Sequence, residues 1–196
     1  MSVYDRMLER YESGQLPWHD PLPPPEVVET VSSLPVGRAL DLGCGPGRAS
    51  IYMAALGWQV DGVDFIPKAI EMARAAAKQA GVSPRFHLAS VTKLDFLTGP
   101  YDFALDVGCC HALDDDEFQT YHRALKRILR PGGRYLLFTR LSDEESAEGS
   151  LSGIDEAVLQ RTFQDGFVLD RVTYGRTEAG DNPSWRSAWF WFRRAE

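Results

Sequence analysis

Hydrophobic and polar positions along the chain fall into two alternating rhythms. Short apolar runs bounded by glycine, proline or polar residues read as strands: Arg38–Leu42, Trp58–Val63, Arg85–Ala89, Asp102–Val107 and Arg134–Thr139. Between them, apolar residues recur at helical spacing. These stretches predict helices over Arg48–Leu56, over the alanine-rich Pro67–Ala80, and over Asp114–Leu129, which carries acids in its first turn. Gly57 and Gly81 mark the ends of the first two, and Pro131-Gly132-Gly133 reads as a sharp turn into the fifth strand. Ser152–Phe163 predicts another helix, with Asp165-Gly166 at its exit. Phe167–Thr177 and Trp185–Arg193 are β-rich runs joined by a Gly/Asn/Pro turn, the pattern of an antiparallel hairpin. Ahead of all this lie a short helix at Val3–Tyr11, a stiff segment with five prolines between Pro17 and Pro25, and a helix at Glu26–Ser33.

Strands alternating with helices imply an α/β fold: a Rossmann-like, seven-stranded, mostly parallel sheet with helices on both faces and a C-terminal antiparallel hairpin. The 196 residues suit a single domain, in which residues 1–35 form an N-terminal helical appendage or lid and 36–196 the ligand-binding core. In such sheets ligands bind at the carboxyl ends of the strands. A formal net charge of −7 disfavours a nucleic-acid partner, which needs a basic face. No run approaches the roughly 20 apolar residues of a membrane span, and the N-terminus has no signal-peptide core. Three cysteines, two of them adjacent, make neither a disulfide framework nor a metal site, so a cytoplasmic location is expected; a monomer and a homodimer both stay open.

The candidate chemistry concentrates after the first strand, in Asp41-Leu42-Gly43-Cys44-Gly45-Pro46-Gly47. Glycine at alternate positions gives a tight turn and lets a ligand approach the backbone, with the start of a helix behind it. The dinucleotide fingerprint G-x-G-x-x-G fails here, because Arg48 stands where the third glycine belongs. An acid, Asp64, ends the second strand 21 residues after Gly43, where a carboxylate can accept hydrogen bonds from the two hydroxyls of a ribose. Asp61 lies inside that strand and is the weaker candidate. The fourth strand runs into Asp106-Val107-Gly108-Cys109-Cys110-His111, which places an imidazole of ordinary pKa near 6.5 at a strand end.

The D-L-G-C-G-P-G turn, with the four segments that follow it, resembles the class I S-adenosylmethionine-dependent methyltransferases from about Pro25 to Arg193. Within them it is similar to the compact bacterial type that acts on thiopurines, thiols and tellurite. The resemblance implies S-adenosyl-L-methionine as methyl donor and S-adenosyl-L-homocysteine as product. It implies cofactor contacts from Asp41, Gly43, Cys44, Gly45 and Gly47, then Asp64 and Phe65, then Ser90 and Val91, and from Asp106 and Gly108. Ser90 departs from the family, which often has an acid there. Tyr11, Trp18 and His19 in the appendage, with Cys109, would line the substrate pocket. His111 is the one candidate for a general base, useful for a hydroxyl or protonated amine and dispensable for a thiolate. The expected reaction is in-line methyl transfer to S, O or N of a small molecule, with no large inserted substrate domain. Two alternatives stay open: a cofactor-binding sensor or assembly subunit without turnover, and a nicotinamide oxidoreductase, which Arg48 disfavours.

Overall fold

The computed structural model describes residues 2–14, 16, 20–142, 153–178 and 184–196. Its seven strands form one mixed sheet in the order β3-β2-β1-β4-β5-β7-β6. The chain divides into two compact units, Met1–Leu94 and Asp95–Glu196.

In the first unit, α1 (Val3–Ser13) and α2 (Pro25–Ser33) precede β1 (Arg38–Leu42), α3 (Arg48–Ala55), β2 (Gln59–Asp64), α4 (Pro67–Ala80) and β3 (Arg85–Leu88). The three strands are parallel, with Leu42 opposite Val63 and Asp64 opposite Leu88, so their carboxyl ends lie side by side. Ser2 and Asp5 cap α1 reciprocally, a signal present in the sequence as Ser-x-x-Asp. Tyr11 of α1 is buried with Ile66 and Ala69 beside α4, and Met7, Leu8 and Phe65 pack around them. A second cluster joins Cys44, Ile70, Ala73, Ala77 and Phe86. Asp61, 1% exposed, is held by Arg85 at 2.6 Å and His87 at 2.8 Å, with Arg38 at 3.7 Å. A carboxylate inside a strand is therefore explained by cations on the strands beside it.

In the second unit, β4 (Tyr101–Val107) leads through a single 3₁₀ turn, Cys110–Ala112, into α5 (Asp115–Ile128) and β5 (Leu129–Arg140). Asp114 and Glu117 form a capping box at the start of α5. After α6 (Glu156–Gln164) come β6 (Phe167–Thr177) and β7 (Trp185–Arg194). β4 and β5 are parallel, and β7 lies antiparallel between β5 and β6. Tyr135, Phe163 and Phe192 stack with ring centroids 4.7–5.9 Å apart, and Phe167 meets Phe163 edge-on.

Most limits fall within one or two residues of the sequence expectation, and two, the starts of β5 and α6, shift further for identifiable reasons. Pro131-Gly132-Gly133 does not precede β5 but interrupts it: Tyr101 pairs with Leu129 and Phe103 with Arg134, so the intervening residues leave the ladder as a large bulge. The helix expected from Ser152 starts instead at Glu156. Asp155 caps it by accepting the Val158 N–H at 2.9 Å, while Ile154 is engaged in a β-bridge with Leu141. No helix among the described residues is long and apolar enough to cross a membrane.

Candidate functional site

In the first unit the site residues gather where β1 and β2 end. Gly43, Gly45 and Gly47 all have positive φ, 65°, 53° and 84°, which is why the glycines recur at alternate positions. The turn closes on itself through the Gly47 N–H and Cys44 carbonyl, 2.9 Å. It is strapped to β2 twice. The Cys44 N–H donates to the Val63 carbonyl at 3.0 Å, and the Gly45 N–H donates to Asp64 Oδ2 at 2.9 Å. The other Asp64 oxygen accepts the Ile66 N–H at 2.8 Å, just before α4. Asp64 thus shapes the turn and fixes the lead-in to α4 at Ile66 while keeping unused lone pairs.

Asp41, 3% exposed, accepts the Ser50 hydroxyl at 2.6 Å and so ties β1 to α3. Burial pushes its pKa up to about 6, and burial raises that of Asp64 as well. The turn is therefore bordered by two largely desolvated carboxyls, and the Asp64 charge is one of the influences that raise Asp41. That environment repels a phosphate and attracts a cation. Cys44 is a packing residue, its thiol pushed far up by burial. A β-carbon on Gly45 would stand 3.0 Å from the Tyr11 hydroxyl, so Tyr11, expected at the substrate, lies against the glycine turn. Phe65 is half-buried and meets Tyr4 edge-on at 5.7 Å. The Ser90 hydroxyl bonds that of Thr92 at 2.7 Å, and Val91 is buried. Arg48, at the missing third glycine, pairs with Asp20 at 3.4 Å. A groove of about 480 Å³ includes Gln59, Val60 and Arg85 at the amino ends of β2 and β3, away from the glycine turn.

In the second unit, Asp106 ends β4 fully buried. Its carboxylate accepts the backbone N–H of Cys109 at 2.7 Å, that of Cys110 at 3.1 Å and the Tyr121 hydroxyl at 2.7 Å. Tyr121 in turn bonds the Tyr135 hydroxyl at 2.8 Å. This network folds the 3₁₀ turn that carries His111. Cys110 is buried beside Thr139 and Cys109 is half-buried. Gly108 has φ 87°, and His111 Cε1 lies 3.6 Å from where its β-carbon would be. The Arg140 backbone N–H donates to His111 Nδ1 at 3.3 Å. Burial, with the Arg140 charge behind it, brings the imidazole pKa down to about 4. Trp185 lies 6.3 Å from the imidazole, ring centre to ring centre, and the Arg140 guanidinium is 5.6 Å from the Trp185 ring centre.

The structure brings Tyr11, Asp41, Gly43, Cys44, Gly45, Gly47, Asp64 and Phe65 together in one unit, and Asp106, Gly108, Cys109 and His111 in the other. Trp18 and His19 lie outside the described residues. Sequence reasoning missed Ser50, Tyr121 and Arg140, whose roles arise from contacts between separate elements. Trp185 it placed as the first residue of the second hairpin run. Arg140 carried one readable signal, a charge at the carboxyl end of a buried parallel strand.

A family model described as a methyltransferase domain matches residues 39–133. Among curated relatives, a 2-heptyl-1-hydroxyquinolin-4(1H)-one methyltransferase of Mycobacteroides abscessus is 27% identical over 83% of this chain and 73% of its own length. Thiocyanate methyltransferase 1 of Brassica oleracea is 29% identical over 88% of this chain and 75% of its own. Among solved structures, a 1,6-didemethyltoxoflavin-N1-methyltransferase of Burkholderia thailandensis with bound S-adenosylhomocysteine superposes with a TM-score of 0.75. It is 23% identical and covers 99% of this chain and 88% of its own.

Proposed function

The chain belongs to the class I S-adenosylmethionine-dependent methyltransferases, and from that premise we propose that it transfers a methyl group in line to an S, O or N nucleophile of a small molecule. The observation that carries the reading is the glycine turn bordered by Asp41 and Asp64. At Gly45 and Gly47 the missing β-carbons make way for the Tyr11 hydroxyl and the Phe86 ring, which sets the shape of the turn, and its buried carboxyls suit a ligand with a sulfonium and an ammonium. A dinucleotide pyrophosphate would meet two carboxyls instead of a vacant helix end. When bound, S-adenosylmethionine would supply an electrophilic methyl group on a sulfonium.

The protein's part is to bind, align and exclude water. Gly43, Cys44, Gly45 and Gly47 present the turn; Asp41 holds it to α3 and Asp64 to α4. Asp64 retains acceptor capacity for the ribose, Phe65 offers an apolar face to the adenine, and Ser90 and Val91 border the same ligand. Tyr11 closes the turn from the side of α1. In the second unit, the family resemblance assigns Asp106 and Gly108 to the cofactor and Cys109 and His111 to the acceptor. The curated relatives named above for a hydroxyquinolinone and for thiocyanate support an acceptor of small size.

Calorimetry with S-adenosylmethionine, S-adenosylhomocysteine and NAD tests the cofactor assignment. The first two are expected to bind and the third is not; binding of NAD alone overturns it. A screen with methyl-labelled donor over phenols, thiols and heterocyclic amines then tests transfer. Tight donor binding with no label moved to any class favours a sensor instead.

A further inference from the structure

The carboxyl ends of β4 and β5 hold polar groups that the cofactor site does not use. A backbone amide can only donate, so the bond from the Arg140 N–H fixes His111 Nδ1 as an acceptor. The neutral ring then carries its proton on Nε2, and no protein atom among the described residues accepts that proton. An imidazole held this way offers a donor where a general base needs a free lone pair. Its low pKa, about 4, keeps it uncharged at neutral pH.

Arg140 supplies the second observation. It ends β5 beside His111, and its Nε is buried with no hydrogen-bond partner. No carboxylate pairs with its guanidinium among the described residues. A cation left so, against the Trp185 ring, favours an anion. Phe138 adds a second ring 5.9 Å from Trp185. The charge that bears on the imidazole is that of Arg140 on β5; the other titratable groups of this edge are Asp106 near the end of β4 and the Cys109 and Cys110 thiols of the same turn. β7 brings Trp185, which does not titrate. Asp106 is already engaged by two backbone amides and the Tyr121 hydroxyl.

Resting on the methyltransferase reading, we propose that this edge selects an aromatic acceptor that arrives already ionised. His111 donates from Nε2 to the nucleophilic oxygen or sulfur, Arg140 balances its charge and Trp185 stacks on its ring. The acceptor's lone pair forms the new bond to the methyl carbon, and the neutral sulfide leaves with the electrons of the broken bond. No proton passes to the enzyme in that step, because the acceptor released it to solvent before binding.

The binding half is tested without turnover, using 4-nitrophenol, whose ionisation is visible in its absorbance. The protein is expected to bind it as the phenolate and to lower its pKa by about one unit or more. Arg140→Leu and His111→Ala should each abolish most of that shift, whereas Arg140→Lys and His111→Gln, which keep charge and donor, should retain part of it. Melting curves confirm that the variants fold. Binding as the neutral phenol, or a shift untouched by Arg140→Leu, overturns the proposal.

The kinetic half uses a series of phenols and thiophenols of graded acidity. The pH profile of kcat/KM is expected to follow each acceptor's own ionisation. A limb that stays fixed across the series and vanishes in His111→Ala would instead mark His111 as a base and overturn the proposal. Calorimetry with S-adenosylhomocysteine on the same samples separates the two readings: lost cofactor binding in the wild type refutes the methyltransferase assignment, whereas the nitrophenolate shift refutes or supports the acceptor assignment alone.

Discussion

The turn after β1 and the turn after β4 both leave the carboxyl end of a parallel strand and lead into a helix, yet they treat their polar groups in opposite ways. After β1, both acids are engaged within the protein, with spare acceptor lone pairs left on Asp64 but no spare donor. Asp41 is taken by Ser50, and Asp64 by the Gly45 and Ile66 amides. After β4, Asp106 is likewise engaged, but the groups it positions are left with capacity to spare. His111 keeps an Nε2 proton, and Arg140 keeps a buried, unpartnered Nε. The first arrangement suits a ligand that never varies, since the turn's shape is settled before anything binds. The second suits a ligand chosen by its charge. A turn satisfied internally is rigid and specific by shape, whereas one with orphan donors is specific by electrostatics.

Removing the carboxylate on which the second turn hangs should have the largest effect. Asp106→Ala leaves the Cys109 and Cys110 amides and the Tyr121 hydroxyl without their acceptor. The Tyr121 hydroxyl still has that of Tyr135, so at about 1–3 kcal/mol for each of the two orphaned amides a loss of roughly 2–6 kcal/mol is expected in urea unfolding. A loss under about 1 kcal/mol would mean that the turn is not held this way, and the contrast between the two edges would fail.

A smaller loss is expected from Gly47→Ala in the first turn. Its φ of 84° costs an L-residue roughly 1–2 kcal/mol. The new β-carbon would also stand 2.9 Å from Phe86 and 3.0 Å from Ala73, adding about 1–3 kcal/mol of overpacking. Gly81→Ala is the control. It shares the positive φ, 70°, but no atom lies within 4 Å of its β-carbon position, so only the backbone part should appear. Calorimetry should find S-adenosylmethionine binding weakened in Gly47→Ala and unchanged in Gly81→Ala. Equal losses in both would show that the first turn is not set by close packing.

How much of this the sequence disclosed depends on how local the cause was. β1, α4 and β6 match their expected limits residue for residue, because glycines, prolines and apolar period act over a few neighbours. Pro131 and Gly133 were misread as a turn, since a bulge is defined by the partner strand and not by its own residues. The glycine turn was legible down to its alternate glycines. Asp64 was legible as an important acid, but its bonds to Gly45 and Ile66 were not, because they depend on how the β2 end meets the first turn. His111 was found by position alone. What its ring can do is decided by one amide, that of Arg140, which comes 29 residues later.

The smallest expected effect is in how the two edges respond to acid, and its sign differs between them. Asp41 has its folded pKa raised from 3.8 to about 6. Between those values the folded chain keeps a proton that the unfolded chain has released, so this group's stabilisation is full below pH 3.8 and is lost as pH rises through 6. His111 has its folded pKa lowered from 6.5 to about 4. Here the unfolded chain holds the extra proton, so the contribution is present above pH 6.5 and is lost as pH falls through 4. Between pH 6 and about 4.5, each slope is worth at most about 2 kcal/mol. Asp41→Asn keeps an acceptor for Ser50 but cannot titrate. On acidification over that window it should lose more stability than the wild type, or gain less. His111→Gln should lose less than the wild type. Urea unfolding of all three proteins at the two pH values measures both differences. Deviations of the same sign would mean that the edges do not treat their buried groups differently, and opposite signs would establish the contrast with no ligand present.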